Sequence, residues 1–151
     1  MASSAAPATA SARHPRLADR AVESAAVTEF RMAGKYVPLV VLPRFSTFVG
    51  NGIYWTQPIP VAAYYALSLN VWRGAMNGSG APATSVQFQE SNELSSWEAT
   101  AGTGGGVVPP MFETQYRPLL SRAWFRMGVV ISGTNPGVTC YAIGFAELRE
   151  R

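Results

Sequence analysis

The chain has 151 residues and a mass of 16.2 kDa, enough for one domain with its own core. Charged residues make up 14% of it, against about 25% in an average soluble domain, and it holds one His (His14), one Asp (Asp19), one Lys (Lys35) and one Cys (Cys140). That scarcity excludes an internal disulfide and the usual zinc sets, and it leaves His14 with Asp19 as a poor frame for a nucleophile triad.

Residues 2–12 are Ala, Ser, Thr and Pro alone, with too little apolar bulk to offset the entropy of ordering. This stretch has no apolar run of the kind a secretory signal needs, and Asp19, Glu23 and Glu29 run against an acid-poor transit peptide. Residues 16–33 allow a helix with Leu17, Ala21 and Ala25 on one stripe and Val22, Ala26 and Phe30 beside it, marginal by itself. The expectation is an extended, partly helical arm over 1–35 that orders against something else, with Arg16 and Phe30 as its contact candidates.

From Tyr36 the apolar period becomes two, and 36–151 reads as a β domain. Residues 37–42 form an apolar run that Pro43 closes. Residues 45–49 and 53–56 flank Gly50-Asn51-Gly52, a hairpin former. In 64–72, Tyr65, Leu67, Leu69 and Val71 face one way, and Tyr64, Ala66, Ser68, Asn70 and Trp72 the other. A loop is predicted over 74–82, where Asn77-Gly78-Ser79 fits a glycosylation pattern but reads as a turn. Val86 and Phe88 then face inward. Gly102-Thr103-Gly104-Gly105-Gly106 lacks the Lys and Ser/Thr of a phosphate loop and reads as a flexible surface loop. Glu90, Glu93 and Glu98, near Trp97, read as a solvated rim and not as a glycosidase pair. Phe125, Met127, Val129 and Ile131 point inward, while Trp124, Arg126, Gly128 and Val130 point outward. Gly133-Thr134-Asn135-Pro136-Gly137 is a strong turn before a last strand over 138–147, where Cys140 is an inert buried thiol. Strands of this length with turns between them predict an antiparallel sandwich or barrel.

The formal charge is +3, with Arg44, Arg73, Arg117, Arg122 and Arg126 scattered singly. A duplex-binding surface would gather them on one face, so nucleic acid is not an expected partner. No stretch reaches the roughly 18 uninterrupted apolar residues of a membrane span, so no membrane is expected either. Aromatics are the richer signal. Trp72 and Trp124 lie on the outward parity of their strands, and Trp124 shares its face with Arg126; aromatic rings beside arginine are the anchors interfaces use. The candidate interface is therefore Trp72, Trp97, Trp124 and Arg126, together with Arg16 and Phe30 of the arm. No catalytic, metal-binding or cofactor-binding residue is predicted.

The stretch from Val86 to Trp97, with its Ser91-Asn92 turn a few residues before Trp97, resembles discoidin-like sandwich domains. Arg122-Ala123-Trp124-Phe125-Arg126 is similar to their later strand, in which an aromatic lies between basic residues. The run from Ser132 to Tyr141 resembles the final hairpin of small accessory virion proteins of tailed phages. The resemblance covers about residues 60–148 and carries over no ligand-contacting residue. It implies an all-β, antiparallel β-sandwich of jelly-roll or discoidin-like type. It further implies a structural virion protein, a decoration (cement) or minor capsid-associated subunit, and the near absence of catalytic residue types points away from an enzyme. The expected partners are the major capsid protein or other virion subunits, with further copies of the chain. The alternative is a carbohydrate-binding module of a phage tail or fibre.

Overall fold

Three long tracks of alternating residues organise the protein, seen in a computed structural model that describes residues 35–150. The arm expected over 1–35, its helix, and Arg16 and Phe30 lie outside the described residues, Lys35 excepted. The strands are β1 (Tyr36–Val49), β2 (Gly52–Trp55), β3 (Ile59–Pro60), β4 (Tyr64–Arg73), β5 (Asn77–Ser91), β6 (Glu98–Ala99), β7 (Ala101–Gly102), β8 (Gly105–Val107), β9 (Glu113–Tyr116), β10 (Pro118–Leu119) and β11 (Trp124–Leu148). All their pairings are antiparallel, and no helix occurs among the described residues.

β11 is the central track. Along one side run β1, then β2, then β3, from Tyr36 opposite Glu147 to Pro60 opposite Trp124. Along the other run β4 and then β5, from Tyr64 opposite Leu148 to Ser91 opposite Trp124. All three tracks bend at one level, where Gly50 N–H donates to Pro136 O (2.8 Å) and Gly74 N–H donates to Thr139 O (2.9 Å). The bend folds the ribbon over one core. Phe88 of β5 thus meets Tyr116 of β9, paired to the other half, with ring centroids 5.4 Å apart. β6 pairs with β5, β7 with β10, and β10 with β4, so the sheet closes most of the way to a barrel.

The inward parity holds: Leu67, Leu69, Val71, Val86, Phe88, Phe125, Met127, Val129 and Ile131 are each at most 2% exposed. It fails at Tyr65, which is exposed. A register shift at Glu147/Leu148 breaks the alternation there, and Ala66 is buried in its place. Cys140 is buried as expected, and burial pushes its thiol up to about 11.

The turns predicted from glycine differ from the structure in four places. Gly50-Asn51-Gly52 is not a hairpin, since β1 and β2 both pair with β11 and the left-handed φ of Gly50 turns the track by a bend. Gly133–Gly137 does not end a strand; β11 runs through it, with positive φ at Gly133 and Asn135 absorbing the bend. The segment 77–82 is the start of β5, paired with β11 at Asn77 and Ser79. The glycine-rich 102–106 segment is largely strand, because Gly105 packs so tightly that a Cβ there would stand 2.0 Å from Val86 O. The common reason is that glycine signals a sharp change of backbone direction, and a bend of a paired strand satisfies that as well as a reversal does.

Pro43 does not close β1 either. Leu42 pairs with Ala142 and Ser46 with Cys140, so Pro43, Arg44 and Phe45 bulge out opposite Tyr141. A proline cannot donate to a ladder, and an edge strand accommodates it with a bulge.

Candidate functional site

The outer face of the half built on β2, the start of β11, β5 and β6 carries a guanidinium set over two indoles. Arg126 Cζ lies 4.1 Å from the ring centroids of both Trp55 and Trp97. The register explains the arrangement. Trp55 stands opposite Gly128 across the β2–β11 ladder, and its ring occupies the space a Cβ at 128 would need, 2.7 Å from Trp55 Cζ3. The adjacent Thr56 fixes the strand end, its N–H donating to Met127 O (2.8 Å) and its Oγ1 accepting from Met127 N–H (3.0 Å). On the other side Gln89 stands directly opposite Arg126, and its Oε1 accepts from Arg126 Nε (3.0 Å) and Nη2 (2.7 Å).

Trp97 reaches the site by a turn that a serine builds. The hydroxyl of buried Ser91 accepts from Leu94 N–H (2.9 Å) and Glu93 N–H (3.2 Å), and Trp97 Nε1 then donates to Leu94 O (3.1 Å). Asn92 Oδ1 accepts from Ala123 N–H (3.2 Å), tying this turn to the start of β11. Glu90 is not part of a solvated rim. It is 5% exposed, and its carboxylate accepts from Ser121 N–H (2.8 Å), Ser121 Oγ (2.5 Å) and Arg122 N–H (3.2 Å), with the Arg122 guanidinium beside it. A carboxylate with that many donors clamps a loop and leaves the chemistry to others. Glu93 and Glu98 are exposed as expected, and Glu98 pairs with Arg122.

Trp124 is half-buried on the same outward parity as Arg126, opposite Pro60 and Ser91. Trp72 lies elsewhere, on the outer face of the other half. There it stacks on Tyr141 (centroids 5.4 Å apart, planes 16° apart), Arg44 Cζ stands 5.0 Å over Tyr141, and Tyr141 OH donates to Glu113 Oε1 (2.5 Å). The structure therefore joins Trp97 with Arg126, places Trp124 beside them and separates Trp72. Trp55, Gln89, Arg44 and Phe45 belong to these clusters and were not singled out as site residues from sequence. A glycine inside an otherwise bulky strand, Gly128, was the available pointer to a ring lying across it.

An apolar groove continues along that second face between Pro38, Val40, Ile143 and Phe145, with Arg44 and Asn70 at its rim. Tyr36, Val40 and Phe145 are 53%, 59% and 51% exposed, and Phe45, on the bulge, is 85% exposed. At its far end Glu147 accepts from Arg117 Nη2 (2.8 Å) and Nε (3.2 Å) and from Tyr65 OH, which holds its carboxyl below the usual carboxylate range. No cluster of three metal-ligating side chains occurs among the described residues.

No family model matches the chain, and no curated protein matches it. Among solved structures, the crystal structure of SPBc2 prophage-derived protein YomS is similar, with 13% identity and a TM-score of 0.44 over 72% of this chain and 95% of that chain.

Proposed function

We propose that the chain is a structural virion protein, a decoration (cement) or minor capsid-associated subunit, that stabilises a shell by binding neighbouring subunits with the outer faces of its β body. The observation that carries this reading is the apolar groove of Pro38, Val40, Ile143 and Phe145, in which Val40 and Phe145 are exposed, with exposed Phe45 on the neighbouring bulge. Contiguous apolar surface of this kind marks an interaction site. Pro38 and Pro43 lie on β1, whose second edge meets no described strand. Prolines there discourage strand addition, which supports docking through faces. The virion setting, with the major capsid protein, other virion subunits and further copies of the chain as partners, extends the resemblance of the strand and turn sequences to phage accessory proteins. Jelly-roll or discoidin-like kinship belongs to the same proposal, which assigns no catalytic or cofactor role.

The test is co-sedimentation of the full chain with isolated shells. A Val40→Ser/Phe145→Ser variant is expected to bind at least tenfold more weakly while melting like the wild type. Undiminished binding would remove the groove from the interface. The carbohydrate reading requires an open indole face. Arg126 covers one face of Trp97 and Tyr141 one face of Trp72, while Trp124 has no stacked ring or guanidinium among the described residues, so Trp124 is the first indole to test. Glycan-array binding by the wild type, lost in Trp124→Ala, would put it first.

A further inference from the structure

The described glutamates are all engaged within the chain. Glu90, Glu98, Glu147 and Glu150 pair with Arg or Lys, Glu93 accepts from Ser96, and Glu113 accepts from Tyr141. Four arginines form no ion pair with a described carboxylate: Arg44, Arg73, Arg126 and Arg149. Arg73 and Arg149 donate to backbone carbonyls instead, and Arg44 rides on the bulge over Tyr141. Arg126 differs from all three. It is oriented on both sides by indoles, and the acceptor opposite it is the neutral amide of Gln89, where a guanidinium fork ordinarily meets a carboxylate. Its Nη1 donates to no described atom and is not shut off from solvent.

We propose that the Trp55–Arg126–Trp97 clamp is a carboxylate receptor, which takes an aspartate or glutamate side chain presented by the protein partner. The proposal rests on the assembly reading above and names the chemistry of the contact. Three features support it. The charge is uncompensated among the described residues. Half-burial beside two rings has removed part of its water, so an incoming anion meets less screening than at an ordinary surface arginine. Gln89 and the two rings hold the guanidinium in place before the partner arrives, with Nη1 left to donate, so less side-chain entropy is lost on binding.

The experiment uses the full chain and its intrinsic tryptophan fluorescence, titrated at low ionic strength with a blocked hexaglutamate peptide, a blocked hexaglutamine peptide and glucuronic acid. Hexaglutamate is expected to give a saturable change that added salt weakens, and hexaglutamine none. Gln89→Glu places a carboxylate on the same guanidinium and keeps the stack, so it should weaken hexaglutamate binding at least tenfold with an unchanged melting curve. Arg126→Gln should abolish it; if that variant fails to fold, Gln89→Glu decides. Equal binding of the two peptides, equal binding by Gln89→Glu, or no saturable response in the wild type overturns the proposal. A response to glucuronic acid without one to hexaglutamate overturns it in favour of a glycan. Shell co-sedimentation separates the two readings. Shell binding that Gln89→Glu leaves intact removes the clamp and keeps the assembly role, whereas peptide binding by a chain that ignores shells keeps the clamp and removes that role.

Discussion

The two outer faces use the same ingredients, a guanidinium and aromatic rings, in opposite ways. On the clamp face every participant sits in ladder register or on a serine-built turn, and each is half-buried: Trp55 opposite Gly128, Gln89 opposite Arg126, Trp97 tied to Leu94. On the groove face, Arg44 and Phe45 stand on three residues pushed out of register, with Phe45 at φ 66° and its ring in solvent. A non-glycine residue in that region carries strain that surrounding structure must hold, and such positions gather at functional sites. One face is thus braced by register and hydrogen bonds, and the other displays its aromatic and apolar side chains on a bulge.

The largest expected effect lies beneath the groove face. Leu69 is 0% exposed, so Leu69→Ala should cost about 2–5 kcal/mol in urea denaturation and weaken the support of that face. A cost under about 0.5 kcal/mol, the range of surface changes, would reverse its inward assignment. Next comes the contrast between the faces themselves. Trp55→Ala removes half-buried ring area and a cation–π contact and should cost about 1–3 kcal/mol, whereas Phe45→Ala should stay within about 0.5 kcal/mol. Equal costs in thermal melts would erase the distinction between a braced and a displayed aromatic.

The smallest effect is a pH dependence at the end of the groove. Hydrogen bonds from Arg117 and then Tyr65 hold the Glu147 carboxyl below its ordinary value of 4.5. A carboxyl depressed in the folded state stabilises the fold above that ordinary value and loses its contribution as pH falls through the lowered one. Urea midpoints measured from neutral pH down into the acid range should therefore fall less steeply in Glu147→Gln than in the wild type. Identical acid limbs would show that the Arg117–Glu147 pair contributes nothing measurable.

What the sequence made legible follows from what periodicity can report. Alternation identified the inward rows from Leu67 to Val71 and from Phe125 to Ile131, because burial of one face imposes a period of two on any strand. It could not report which strands share a partner. Gly50-Asn51-Gly52 and Gly133–Gly137 carry hairpin chemistry, yet the decisive fact is that β11 supplies the ladder to both halves, a long-range property with no local signature. The site was partly visible for the same reason. Parity placed Arg126 and Trp124 outward, but Trp55 and Gln89 join Arg126 through register across three strands, and Glu90 looked solvated until the 121–122 backbone closed over it.

That shared ladder has a consequence for biosynthesis. β1, β2 and β3 find their pairing partner in β11 and in no other described strand, so the first strands of the β body to leave the ribosome wait for the last. Until translation has passed Leu148, Tyr36, Val40 and Phe48 belong to an unpaired nascent chain, and long-range pairing of this sort is slow and open to aggregation. A ribosome stalled before β11 would release a chain with both halves unfinished, and the natural binder of such an intermediate is a chaperone that covers apolar strands.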